Sequence, residues 1–387
     1  MCSSDEVRRP RTACVLVAAA SLLHCSTDTV SPRQISHSGT GAYEAALTAT
    51  GAGFVAAWYD IRHGNGEIYI RAIDTDGRPA GPEQRLTHDP AESYEPSIAA
   101  LPGGRLALAW YDKAADGTLT ARIGVWEATG AHVWTRVLQT PGRNPVIAVE
   151  RGAIVVAWVG GAVDGEELRI ARWTEMGEPI GEPRRLGAAH HTTWNVNLVL
   201  DREGVALVVW DAPWKTRASE IFLARVAAGV TSIARLTGDD GHESRYPDIA
   251  LNGGDVALTW FDAKDGNTEV YLFAGAVDEL TREIDTRALR ITTTAGESIG
   301  AYAAWNAGRI GLAWSDDTVG QHEVYFQQFD RRGAALTAPV RVTDNSMSSL
   351  VPAIDRRQDR FALAWNEFVP SSGGHDGRSE IAFALMR

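Results

Sequence analysis

A chain of 387 residues with 44% hydrophobic and 22% charged residues has the composition of a soluble globular protein. Its formal net charge of -12, with no basic run, argues against nucleic acid and anionic membrane surfaces as partners. The three cysteines (Cys2, Cys14 and Cys25) all lie within the first 25 residues, which excludes disulfides, thiol chemistry and cysteine-ligated zinc from everything that follows.

Residues 1–25 read as an export signal. Arg8, Arg9 and Arg11 form a positive flank, and the mostly apolar run from Thr12 to Leu23 is too short to anchor the chain across a bilayer. Leu22-Leu23-His24-Cys25 is similar to the bacterial lipoprotein cleavage box, with His24 where that pattern has a small residue; Cys25 is then the expected lipidation site. Residues 26–32 are a short tether. The expected location is the bacterial cell envelope, in the periplasm or on the outer surface, lipid-anchored or secreted, with the membrane touched only through the N-terminal lipid.

From residue 33 onward the sequence repeats itself. Trp58, Trp110, Trp158, Trp210, Trp260, Trp314 and Trp365 recur at intervals of 52, 48, 52, 50, 54 and 51 residues. In the second repeat, Ser97 to Ala100 is a first strand, Pro102-Gly103-Gly104 a turn, and Arg105 to Trp110 a second strand with Leu106, Leu108 and Trp110 alternating. Leu119 to Trp126 is a third and Val133 to Leu138 a fourth. Four short antiparallel strands per repeat, seven times over and with no helical periodicity, predict an all-β, seven-bladed β-propeller spanning residues 33–387. The repeated tryptophans are expected to wedge between neighbouring blades.

The two ends predict how the ring closes. The seventh repeat runs out after its third strand, Glu380 to Ala384, whereas Arg33-Gln34-Ile35-Ser36 matches the Gln84-Arg85-Leu86-Thr87 that precedes the second repeat. Residues 33–37 should therefore supply the missing outer strand of blade seven, removing an exposed sheet edge.

The repeat Arg-[Leu/Ile/Val]-Thr, Pro-x-[Ile/Val]-Ala, Trp-x-Asp, Gly-Asn-x-Glu-[Ile/Val]-Tyr is carried best by Arg235-Leu236-Thr237, Trp260-Phe261-Asp262 and Gly266-Asn267-Thr268-Glu269-Val270-Tyr271. It resembles the repeats of TolB-type and sialidase-like bacterial propellers over about 350 residues. The resemblance implies the fold and leaves function open, because propellers host enzymes, lectins and docking modules alike. The sialidase Asp box is missing.

The acids that recur with the repeat, such as Asp60 with Glu67 and Asp262 with Glu269, are read as scaffold, since an active site is needed once and not in each blade. Function is expected where the repeat lapses. Blades three and four lose the Trp-x-acid pattern (Trp158-Val159-Gly160 and Trp210-Asp211-Ala212), and blade four carries His190, His191 and Trp194 in one loop and Trp214 and Lys215 in another. These five are expected on one face as contacts for a sugar ring or a protein side chain. A second cluster on the channel rim comprises Arg143, Arg245, Tyr246, Glu243 and Glu92; a sialidase-like reading would use the first four of these. No Gly-x-Ser-x-Gly, His-Glu-x-x-His or P-loop is present, so no metal or cofactor is expected. The favoured reading is a monomeric, non-catalytic binder of a glycan or protein through its loop face. The alternatives are a sialidase-like glycoside hydrolase or lyase and a TolB-type assembly scaffold.

Overall fold

The computed structural model describes residues 30–161, 165–188, 193, 195–215, 217–227, 230–281, 284–368 and 378–387. They form seven four-stranded antiparallel sheets. Strands A to D of blade one are Ala42–Thr50, Gly53–Asp60, Glu67–Asp74 and Gln84–Arg85. Those of blade two are Glu92–Ala100, Leu106–Lys113, Leu119–Trp126 and His132–Gln139. Blades three to six repeat the order, their A strands being Gly142–Glu150, Val196–Leu200, Ser244–Asn252 and Ser298–Asn306. Blade seven contributes Ser348–Arg357, Arg360–Phe368 and Ser379–Met386, and its fourth strand is Arg33–Gln34. The only helices among the described residues are short 3₁₀ turns, as in Pro102–Gly104.

The ring closes as its ends predict. Arg33 pairs with Phe383 and Gln34 with Ala382, and the Ile35 amide donates to the Ile381 carbonyl at 2.8 Å. Ile35 is fully buried among Ile381, Phe383 and Trp58. Ser36 donates to Glu380 and accepts from the Ile381 amide at 2.7 Å.

That last pair explains the Arg-[Leu/Ile/Val]-Thr repeat. In blade one, Thr87 donates to Glu67 at 2.5 Å and accepts from the Ile68 amide at 2.8 Å, while Arg85 bridges the other Glu67 oxygen at 2.5 Å. Arg290 holds Glu269 at 2.9 Å and Arg341 holds Glu323 at 2.8 Å in the same way. The second recurring acid is bound by the indole two residues before it: Trp58 donates to Asp60 at 3.2 Å, Trp110 to Asp112 at 2.9 Å and Trp365 to Glu367 at 3.1 Å. Carboxylates that are buried and tied to the same arginine or indole in blade after blade are scaffold.

The apolar core is not one mass but seven slabs, each shared by two neighbouring blades. Every repeat tryptophan is at most 3% exposed and packs toward the preceding blade, as Trp110 does among Ile68, Ile70 and Leu108. Truncating such an indole to alanine costs about 3–5 kcal/mol.

The A strands line the central channel and clasp one another around it. A side chain of one takes a backbone group of the next: Thr48 Oγ1 accepts from the Ala100 amide at 3.2 Å, Ser97 Oγ from Ile147 at 3.1 Å, and Asp248 Oδ2 from Ala303 at 2.8 Å. Asp355 Oδ2 accepts from Ala49 at 2.7 Å, which carries the series across the closure from blade seven to blade one.

Candidate functional site

Among the described residues, six of the seven A strands enter the channel through a one-residue irregularity, and blade four pairs without one. In blade one Tyr43 pairs with Tyr59 and Ala46 with Ala57, so three steps on strand A face two on strand B; the same slip recurs in blades two, three, five, six and seven. The extra residue takes a left-handed backbone: Glu44 (φ 55°), Glu95 (φ 50°), Asn144 (φ 48°), Tyr246 (φ 56°), Gly300 (φ 60°) and Val351 (φ 53°). Such a conformation costs a non-glycine residue on the order of 1–2 kcal/mol, most for a β-branched one, and bulges of this kind re-aim a side chain. Here they turn it into the mouth of a channel of about 760 Å³, where Asn195 occupies the corresponding place in blade four.

The backbone is repeated around the ring and the chemistry is not. Glu44, Glu95, Asn144 and Asn195 make one side of the mouth polar, and Tyr246, Gly300 and Val351 make up the remainder. Behind the polar side stands an arc of partly exposed tyrosines. Tyr43 stacks on Tyr59 at 5.2 Å, Tyr59 meets Tyr94 edge-on at 4.9 Å, and Tyr94 lies 5.8 Å from Tyr111.

The two glutamates have unequal surroundings. Glu95 accepts from the Tyr111 hydroxyl at 3.1 Å and from Asn144 Nδ2 at 2.7 Å. Burial still raises its pKa, against the lowering effects of Tyr111 and of the Arg143 charge. Glu44 Oε2 is buried with no hydrogen-bond partner. Burial first, and the charge of Glu95 second, push the Glu44 carboxyl up to about 8, so it keeps its proton at neutral pH. Burial and Glu44 also hold the Tyr59 hydroxyl well above its ordinary range. Asn195 Nδ2 is a second buried atom at the mouth without a partner.

Of the rim residues singled out in the sequence, Tyr246 is itself one of the seven at the mouth, while Arg143, Arg245, Glu243 and Glu92 lie beside it and serve other partners. Arg143 is buried and grips Glu166 with two bonds of 3.0 and 2.9 Å, while donating to Asn144 Oδ1 at 3.0 Å and to the Thr193 carbonyl at 2.7 Å. Arg245 donates to the fully buried Asp211 at 3.2 Å and lies 5.6 Å from the Tyr246 ring centre. Burial pushes Asp211 up to about 6 despite that arginine. Tyr246 stacks on Phe261 at 5.1 Å. Glu243 accepts from the Ser219 amide at 3.2 Å, and Glu92 lies 3.9 Å from Lys113.

Of the blade-four cluster, His190, His191 and Trp194 lie outside the described residues, as does Cys25. Trp214 is 42% exposed and sits on the C and D strands of its own blade, edge-on to Phe222 at 5.6 Å with Arg235 6.0 Å from its ring centre. Arg62 over Tyr69 and Lys264 over Tyr271 make the matching contact in blades one and five, so Trp214 fills a place that cations fill elsewhere. Lys215 is exposed beside it. Sequence reasoning found Tyr246 and the arginines but passed over Glu44, Glu95, Asn144 and Asn195. Their signal is the position just before the Pro-x-[Ile/Val]-Ala segment, whose occupant differs around the ring: Glu, Glu, Asn, Asn, Tyr, Gly, Val.

No family model and no curated protein matches the chain. Its likeness is to solved structures. A protein of unknown function from Dyadobacter fermentans superposes with a TM-score of 0.56 at 13% identity, over 92% of this chain and 98% of its own. The polysaccharide lyase Uly1 gives 0.55 at 10%, over 89% and 90%. An α-L-arabinofuranosidase from Fusarium graminearum gives 0.52 at 9%, over 93% and 97%. The chain shares their propeller fold. At these identities the likeness extends to the fold alone, which is also as far as the resemblance to bacterial propeller repeats reaches.

Among the described residues no group of three His, Cys, Asp or Glu is placed to hold a metal ion, and no helix is long and apolar enough to cross a membrane.

Proposed function

We propose that the protein binds a neutral carbohydrate at the mouth of its channel. The observation that carries this reading is the one-sided ring: four polar residues on adjoining blades, two of them with buried polar atoms lacking a partner, beside four partly exposed tyrosines. A sugar offers hydroxyls to such atoms and apolar C–H faces to such rings. A buried polar atom left unpaired costs about 1–3 kcal/mol, which a ligand hydroxyl can recover. The neutral class follows from the arginines. Arg143 and Arg245, which flank the mouth, are each bonded to a buried carboxylate, so neither is set to receive the acid group of a sialic or uronic acid. That weighs against the sialidase-like and lyase readings. The carbohydrate-active proteins among the structural neighbours support the class of ligand without specifying it. With residues 1–25 read as an export leader and Cys25 as a lipid acceptor, the proposal concerns a protein of the cell envelope.

The test is a glycan array containing neutral and acidic oligosaccharides, followed by calorimetry with those retained. Neutral glycans should bind, and Tyr94→Ala should weaken them about tenfold. Retention of acidic glycans alone, or neutral binding that Tyr94→Ala leaves untouched, would overturn the assignment.

A further inference from the structure

Glu44 and Glu95 occupy equivalent bulges of adjacent blades, and the rest of the ring holds no third carboxylate. Their first neighbours differ in kind. Glu95 is held by two donors, the Tyr111 hydroxyl and Asn144 Nδ2, which suit an ionised carboxylate. Glu44 has its Oε2 buried and unpartnered, with Glu95 close enough to act on its charge. Two carboxyl groups at one opening, one held by two donors and the other with a buried oxygen left unpartnered, are placed for the separate roles that acid–base chemistry requires.

We propose that the mouth hydrolyses the glycosidic bond of a neutral glycan, with Glu44 as general acid and Glu95 as general base. The inference rests on the reading of the mouth as a carbohydrate site. In the reaction Glu95 takes a proton from a water molecule as the water oxygen bonds to the anomeric carbon. The bond from that carbon to the leaving oxygen breaks, and the leaving oxygen takes the proton of Glu44. One water is consumed and two hydroxyl-bearing sugars result. Glu95 then carries the proton that Glu44 has lost, and its transfer through solvent restores the starting pair. Tyr111, kept protonated by burial, serves as a positioning residue that fixes the rotamer of Glu95 by its hydrogen bond.

The reaction is tested on a panel of 4-methylumbelliferyl and 2,4-dinitrophenyl glycosides of neutral hexoses and pentoses. The wild-type chain should cleave at least one sugar type in both forms. Glu95→Gln should lower kcat on both by a factor of roughly 10²–10⁴ with little change in KM. Glu44→Gln should lower it by a similar factor on the methylumbelliferyl glycoside. It should leave the dinitrophenyl glycoside within about tenfold of wild type, because that leaving group departs without a proton. Such a split cannot arise from misfolding, which would reduce both. Neutral glycans held on the array with no glycoside cleaved would overturn the hydrolysis and leave the binding reading standing. Cleavage that survives either substitution on both substrates would remove these two residues from the reaction. Absence of both binding and cleavage would overturn the two readings together.

Discussion

The B-strand tryptophans and the A-strand bulges are each repeated around the same ring, yet they behave in opposite ways. At the tryptophan position backbone and side chain are both constant, and each indole is buried against the preceding blade. At the bulge position the backbone is constant, with φ between 48° and 60° wherever it is left-handed, while the side chain runs from glutamate to valine. A position that must do the same thing seven times keeps its residue. One that only delivers a side chain to a shared opening is free to differ, and the differences give the opening its sidedness. The strained backbone is thus part of the frame, and the residue mounted on it is the variable.

The largest effect should come from breaking the frame at its closure. Deleting residues 26–37 exposes Ile381 and Phe383, strips Glu380 of its partner Ser36, and opens a sheet edge. The lost burial and hydrogen bonds amount to about 5 kcal/mol. Thermal unfolding should shift down by many degrees, with dimers or larger species appearing on size-exclusion chromatography as the free edges pair. A monomer with an unshifted melt would mean that the ring holds without its latch.

A change in the ring should act more gently and through pH. The Glu44 carboxyl is pushed up to about 8 in the folded chain from an ordinary value of 4.5. Its contribution to stability is therefore complete below about pH 4.5 and is lost as pH rises through about 8. The groups facing it, Glu95 and the hydroxyls of Tyr59 and Tyr111, are all raised as well, so none offsets the direction. Between about pH 5 and 9 the native chain should lose roughly 2 kcal/mol from this residue, about half of what the full shift implies because the mouth is in contact with water. Glu44→Gln should flatten that part of the decline in a series of thermal melts. Parallel wild-type and mutant curves would show that Glu44 is ionised throughout.

The frame was legible in the sequence because it is written in spacing. A period near 50 residues, the indole at one phase of it, and the match of Arg33-Gln34-Ile35-Ser36 to Gln84-Arg85-Leu86-Thr87 are sufficient for blade count and closure. The mouth was not, for two physical reasons. A bulge adds one residue on one strand, which leaves no mark on the period. Glu44, Asn195 and Gly300 also lack the proline that follows the other bulges, so that local cue is incomplete. Looking for lapses in the Trp-x-acid pattern led to blade four, and there the lapse has a structural resolution: Asp211 stands one place early and pairs with Arg245 of the next blade.

The smallest effect is expected at the residue that the lapse in blade four brought forward. Trp214 is exposed and aromatic, which suits a sugar platform, but its contacts are Phe222 and Arg235 on the C and D strands of its own blade, whereas the mouth is built from the A strands. An edge-on aromatic pair with a partly exposed cation is worth about 1 kcal/mol. Trp214→Ala should lower stability by that amount and leave the affinity for neutral glycans within about twofold of wild type in calorimetry. Loss of binding with the fold intact would move the site outward, to the turn where Trp214 and Lys215 stand. The one-sidedness of the channel mouth would then belong to the frame after all, a consequence of how the A strands clasp one another rather than of what they receive.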